Sequence, residues 1–76
     1  MSLYQEIIQA VIQAESEREP SDIFAIRMAP SVFHELNSDK ENAHHITLDL
    51  EKGFNMLDGR TIVIDRKIQG WEIIIT

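Results

Sequence analysis

Apolar residues recur along this chain with two periods, and the places where the period changes mark its elements. Over residues 3–17, Tyr4, Ile7, Ile8, Val11 and Ile12 fall at helical spacing and Ala14 extends the stripe, which predicts an amphipathic helix. Ser2 followed three residues later by Gln5 fits a capping box at its start. Pro20 ends it, because the residue before a proline avoids the α region. Residues 23–28 form a short apolar run that reads as a strand. Pro30 then suits a first helical turn, where its missing N–H costs nothing. Val32, Phe33 and Leu36 give that second helix, 30–38, its apolar stripe. The polar run 37–42 is expected to fray into an exposed loop.

The period then changes to two. In 45–51, Ile46, Leu48 and Leu50 lie on one side and His45, Thr47, Asp49 and Glu51 on the other, the pattern of a half-buried strand. A short strand at 54–57 leads into Asp58-Gly59, a strong two-residue hairpin signal. For the last residues the simplest register pairs 61–66 antiparallel with 71–76. It stacks Ile62 on Ile75 and Ile64 on Ile73, sets Val63 opposite Ile74, and places Arg66 over Trp71 as a cation–π pair. It also sets Asp65 opposite Glu72, a like-charge conflict that Lys67 is expected to relieve. The expected core is Ile7, Ile8, Val11, Ile12, Phe24, Ile26, Val32, Phe33, Leu36, Ile46, Leu48, Leu50, Ile62, Ile64, Ile73 and Ile75. The fold expected is a single α+β domain over 1–76: two helices packed on a small, mostly antiparallel sheet that ends in a C-terminal β-hairpin.

Composition adds three constraints. The chain has 76 residues and no cysteine, which removes disulfides, Cys-ligated zinc and thiol chemistry. A domain this short buries a modest share of its surface and often needs a staple. With disulfides gone and a metal site weak, a second protein surface is the expected staple. The net charge is -6, and it is unevenly spread. Residues 1–51 hold ten acids and three bases (-7), whereas 52–76 hold three acids and four bases (+1). The acidic balance disfavours nucleic acid and anionic membranes as partners. No apolar run approaches a membrane span and no secretory pattern opens the chain, so a cytoplasmic location is expected.

Candidate chemistry is sparse. His34, His44 and His45 are the histidines, and a His-His doublet on a strand would point to opposite faces, against one shared ion. His34-Glu35 lacks a second histidine at the spacing of a metalloprotease helix; Ser38 stands there. No serine sits in a nucleophile elbow. Gly53, Gly59 and Gly70 each punctuate a turn and build no phosphate cradle. The sequence therefore predicts no enzyme activity, no cofactor, no metal and no small-molecule substrate.

One resemblance enters at this point. The run Ile23-Phe24-Ala25-Ile26-Arg27-Met28-Ala29-Pro30-Ser31-Val32-Phe33-His34-Glu35-Leu36 reads as a strand delivering a helix. After a polar loop comes Met56-Leu57-Asp58-Gly59-Arg60-Thr61-Ile62-Val63-Ile64-Asp65. This order resembles small tailed-phage and prophage proteins, and is similar to a stretch in the peripheral domain of tailed-phage major capsid proteins. The resemblance covers residues 23–66 and implies a phage or prophage origin with a role in assembly or interaction, in the host cytoplasm or the virion. Capsid proteins are several times longer, and no family site residue carries over.

The function expected is thus a self-associating interaction or assembly module. Its candidate surface is Phe54, Met56, Val63 and Ile74, which the hairpin leaves on the side opposite its isoleucine stack, together with Arg66 and Trp71. The alternative is a small regulatory protein that binds a host protein or nucleic acid through Arg60, Arg66, Lys67 and Trp71. A third is an enzyme with an intersubunit site near His34, His44 and His45.

Overall fold

Ser2 starts the first helix in the way its sequence predicts. In the computed structural model, which describes residues 2–17 and 24–75, the Gln5 N–H donates to Ser2 Oγ at 3.2 Å and the Ser2 N–H donates to Gln5 Oε1 at 3.0 Å. Helix α1 (Leu3–Ser16) buries Ile7 and Val11. Its stripe is narrower than expected, since Ile12 is exposed. Helix α2 (Pro30–Ser38) has Pro30 in its first turn and buries Leu36. Beyond it, the Asp39 carboxylate accepts from the Glu41 N–H at 3.1 Å and from Asn42 Nδ2 at 2.8 Å, which closes the following turn. The expected helix end at Pro20, the strand start at Ile23 and the strand end at Thr76 lie outside the described residues.

The strands are β1 (Phe24–Met28), β2 (Ile46–Asp49), β3 (Phe54–Leu57), β4 (Arg60–Ile64) and β5 (Trp71–Ile75). They form one sheet in the order β2-β3-β4-β1-β5. β1 runs parallel to β4 and antiparallel to β5, and β2–β3 and β3–β4 are antiparallel. The chain is therefore α+β with a mostly antiparallel sheet. Asp58 and Gly59 take positive φ values of 49° and 84°, the left-handed pair that a tight β3–β4 hairpin requires.

The C-terminal hairpin is corrected by this order: β4 and β5 do not pair, because β1 lies between them. Two strands flanking a third are roughly 9–10 Å apart, a gap that the connection 65–70 spans easily at about 3.3 Å per residue. Both ends of that connection are fastened to β1. The Asp65 N–H donates to Met28 O at 2.9 Å and the Ala29 N–H donates to Gly70 O at 2.8 Å. The insertion gives β4 and β5 a full ladder each and sets Ile26 between Ile62 and Ile73.

The core follows from that arrangement. Ile7, Val11, Ile26, Met28, Leu36, Leu57 and Ile62 form one buried cluster, with Val32, Phe33, Ile46, Trp71 and Ile73 packed against it. Met28 and Leu57 are fully buried although the sequence did not mark them as core. Ile62 is 4% exposed, whereas Ile64 and Ile75 are 44% and 45% exposed. Leu48 and Leu50 are exposed too, because β2 is an outer strand and stops at Asp49. The Asp49 carboxylate then accepts the N–H groups of Glu51 (3.0 Å) and Lys52 (3.2 Å), turning Leu50 into solvent. Among the described residues no helix is long and apolar enough to cross a membrane.

Candidate functional site

Strand alternation sorts every sheet residue to one of two faces. Ile26 and Met28 point to the face that carries Ile7 and Val11 of α1 and Leu36 of α2. Among the described residues both helices therefore lie on one side. The opposite face takes Ala25 and Arg27 from β1 and their neighbours Thr61, Val63, Ile74 and Glu72. It also takes Met56, opposite Thr61, and Phe54, which the same register brings level with Val63. Phe54 is 50% exposed, and Met56, Val63 and Ile74 are half-buried.

Four of the six residues singled out from the sequence thus share the helix-free face: Phe54, Met56, Val63 and Ile74. The other two separate from them. Trp71 pairs with Met28 and packs against the core on the helix side. Arg66 lies beyond the end of β4 and is exposed. The expected Arg66–Trp71 stack is therefore not formed, because β1 occupies the lane between their strands. The basic and aromatic group of the alternative reading is divided in the same way. Arg60 is tied to Glu15 by Nε–Oε2 at 3.1 Å and Nη2–Oε1 at 2.7 Å.

Arg27 of β1 lies on the open face. Its Nη1 donates to Glu72 Oε1 at 2.9 Å, and its Nε lies 3.8 Å from Asp65 Oδ2. The like charges that the hairpin register set opposite each other are thus separated by a strand that brings a guanidinium between them. The relieving cation is Arg27, not Lys67.

A second cluster, missed in the sequence, joins α1 to the β3–β4 turn. Tyr4 Oη donates to Asp58 Oδ2 at 2.5 Å, and His45 Nδ1 lies 2.8 Å from Asp58 Oδ1. An ionised carboxylate only accepts, so His45 Nδ1 carries the hydrogen. The Tyr4 ring stacks on His45 with centroids 4.3 Å apart, and His44 and His45 touch at 4.1 Å. The doublet belongs to a single 3-10 turn (Ala43–His45) rather than a strand, so the two rings meet instead of diverging. Burial, the Asp58 hydrogen bond and the Asp58 charge push the Tyr4 hydroxyl up to about 12. Burial also raises the Asp58 carboxyl, but hydrogen bonds from Tyr4 and His45 and the charges of His45 and Arg60 outweigh it and hold it low. The hydrogen bond from Arg60 likewise lowers Glu15 against its partial burial. Tyr4 and His45 thus each hold one oxygen of the Asp58 carboxylate. What the cluster does is clamp the first turn of α1 onto the sheet.

His34 is exposed on α2. Among the described residues no group of three or more His, Asp or Glu side chains is placed to hold a metal ion, and no concave pocket is found. Comparison with protein-family models, with characterised proteins and with solved structures returns no significant match.

Proposed function

We propose that this chain is a non-enzymatic interaction module that self-associates, working through the helix-free face of its sheet. The observation that carries the reading is the segregation of the layers: both helices cover one face, while Phe54, Met56, Val63 and Ile74 gather on the other. Apolar side chains that a sheet leaves outside its helix-packed core are candidates for a contact surface, and a short chain without disulfides gains most from a second surface. Charge favours the same region, since 52–76 is near neutral while 1–51 carries the excess acid. A phage or prophage origin belongs to the proposal, supported by the resemblance over 23–66. Capsid, portal or tail genes beside its gene would support it, and metabolic genes would count against it.

The test is Ile74→Lys and, separately, Phe54→Lys, each followed by sedimentation and far-ultraviolet circular dichroism. The expected result is weakened assembly with the fold retained. Loss of fold and assembly together in both variants would make these residues core, and unchanged assembly in both would remove the face from the contact.

A further inference from the structure

The direction of each backbone group in β5 extends this reading and rests on it. The Ala29 N–H donates to Gly70 O at 2.8 Å, one step beyond the Met28–Trp71 pair. Hydrogen-bonded pairs alternate along an antiparallel ladder, so Arg27–Glu72 and Ala25–Ile74 are the bonded pairs. Trp71, Ile73 and Ile75 must then turn their N–H and C=O groups away from β1. Among the described residues β5 is the outermost strand on this side, so those groups line the sheet's edge.

The other edge of the sheet offers less. The Asp58 N–H donates to His45 O at 3.0 Å, one step beyond the Leu57–Ile46 pair. Within β2 only Ile46 and Leu48 therefore face outward. Asp49 and Glu51 follow immediately, and acidic residues beside an edge discourage pairing. β5 contains no Pro or Lys, and its single charge, Glu72, is already held by Arg27 Nη1 at 2.9 Å.

We infer that two copies of this chain join through β5, antiparallel about a two-fold axis at Ile73, into one continuous sheet. This register is the one that uses every outward group of the strand: Ile73 exchanges both bonds with Ile73 of the second copy, and Trp71 exchanges both with Ile75. Centring the axis on Glu72 or Ile74 strands one of the three outward residues of Trp71–Ile75, and a shift by one residue sets outward groups against inward ones. The register lays Trp71 beside the second copy's Ile75, which is 45% exposed in the single chain. It sets Glu72 opposite Ile74 and not opposite the other Glu72. Because paired residues share a face, all four helices fall on one side and the two helix-free faces become a single surface.

The absence of native cysteine makes introduced thiols unambiguous reporters. Directly opposed residues in bonded pairs have Cα atoms about 5.5 Å apart, within disulfide reach. Under mild oxidation Ile73→Cys is expected to form a covalent dimer, while Thr47→Cys on β2 stays single. If Ile73→Cys fails to fold, an equimolar mixture of Glu72→Cys and Ile74→Cys serves instead; the mixture cross-links and each variant alone does not. A wild-type oligomer that cross-links through Thr47→Cys or Val63→Cys but through neither β5 arm overturns the edge register and leaves self-association standing. So does one that cross-links at no position. A monomeric wild-type chain overturns both.

Discussion

Strand order is the feature on which everything else depends, and truncation of two isoleucines in the same strand tests it. If β4 and β5 formed a hairpin, Ile62 and Ile64 would be equivalent members of one stack. With β1 between them, Ile62 is 4% exposed and lies beside fully buried Ile26, while Ile64 is 44% exposed. Ile→Ala removes three carbons, at about 0.8 kcal/mol for each one buried. Ile62→Ala then loses about 2.4 kcal/mol before any cavity cost, and about 2–5 kcal/mol with it. Ile64→Ala, with roughly half its surface already in water, loses about 1.3 kcal/mol by the same coefficient. A chain of this length has a total stability of about 4–11 kcal/mol, so the difference is measurable. The assay is urea unfolding at one fixed protein concentration, since self-association shifts apparent stability. It is followed by the fluorescence of the single tryptophan, Trp71, and by circular dichroism. Equal losses for the two variants, or a larger loss for Ile64→Ala, would refute the inserted strand.

The clamp between α1 and the β3–β4 turn gives two pH predictions. Tyr4 is the single tyrosine and should ionise at about 12 instead of its ordinary 10. Its contribution to stability is whole below pH 10 and is lost as pH rises through about 12; a tyrosinate absorbance titration near the ordinary value would contradict the Tyr4–Asp58 contact. Asp58 is held low in the folded chain, so its contribution is whole above the unfolded carboxyl value of about 3.9 and is lost as pH falls through its folded value. Asp58→Asn should therefore lower stability at neutral pH and flatten the acid limb of the stability curve; a variant with an unchanged acid limb would show that other carboxylates govern it. Because each copy carries -6, association should strengthen as salt rises from low ionic strength, where long-range repulsion is least screened. Weakening over that range would point to ion pairs as the main contact.

Most of the element list was legible because it rests on local chemistry. The Ser2–Gln5 capping box, the Pro30 start of α2 and the Asp58-Gly59 turn each act over a few residues, and each stands in the structure. Period-two alternation also put Phe54, Met56, Val63 and Ile74 on one side, and they stay together because Ala25 of the inserted strand pairs with both Thr61 and Ile74, which keeps β4 and β5 in phase. Strand order was not legible in that way. A two-strand hairpin and a three-strand insertion satisfy the same alternation in 61–75, and choosing between them requires contacts between residues far apart in sequence. One local signal did point to the insertion: Asp65 opposite Glu72 was a conflict that Arg27 of the intervening strand resolves. Trp71 changed its role for the same reason, pairing with Met28 and joining the core. The Tyr4–Asp58–His45 clamp was hidden because Tyr4 counted as one more apolar stripe position and the His44-His45 doublet was assigned to a strand.

The claim that this sheet completes itself against a second copy is tested most directly by sedimentation equilibrium of the unmodified chain across a wide concentration range. The account predicts a species of at least twice the mass of one chain, with a concentration-dependent equilibrium. A single species of one-chain mass up to the highest concentration would contradict it.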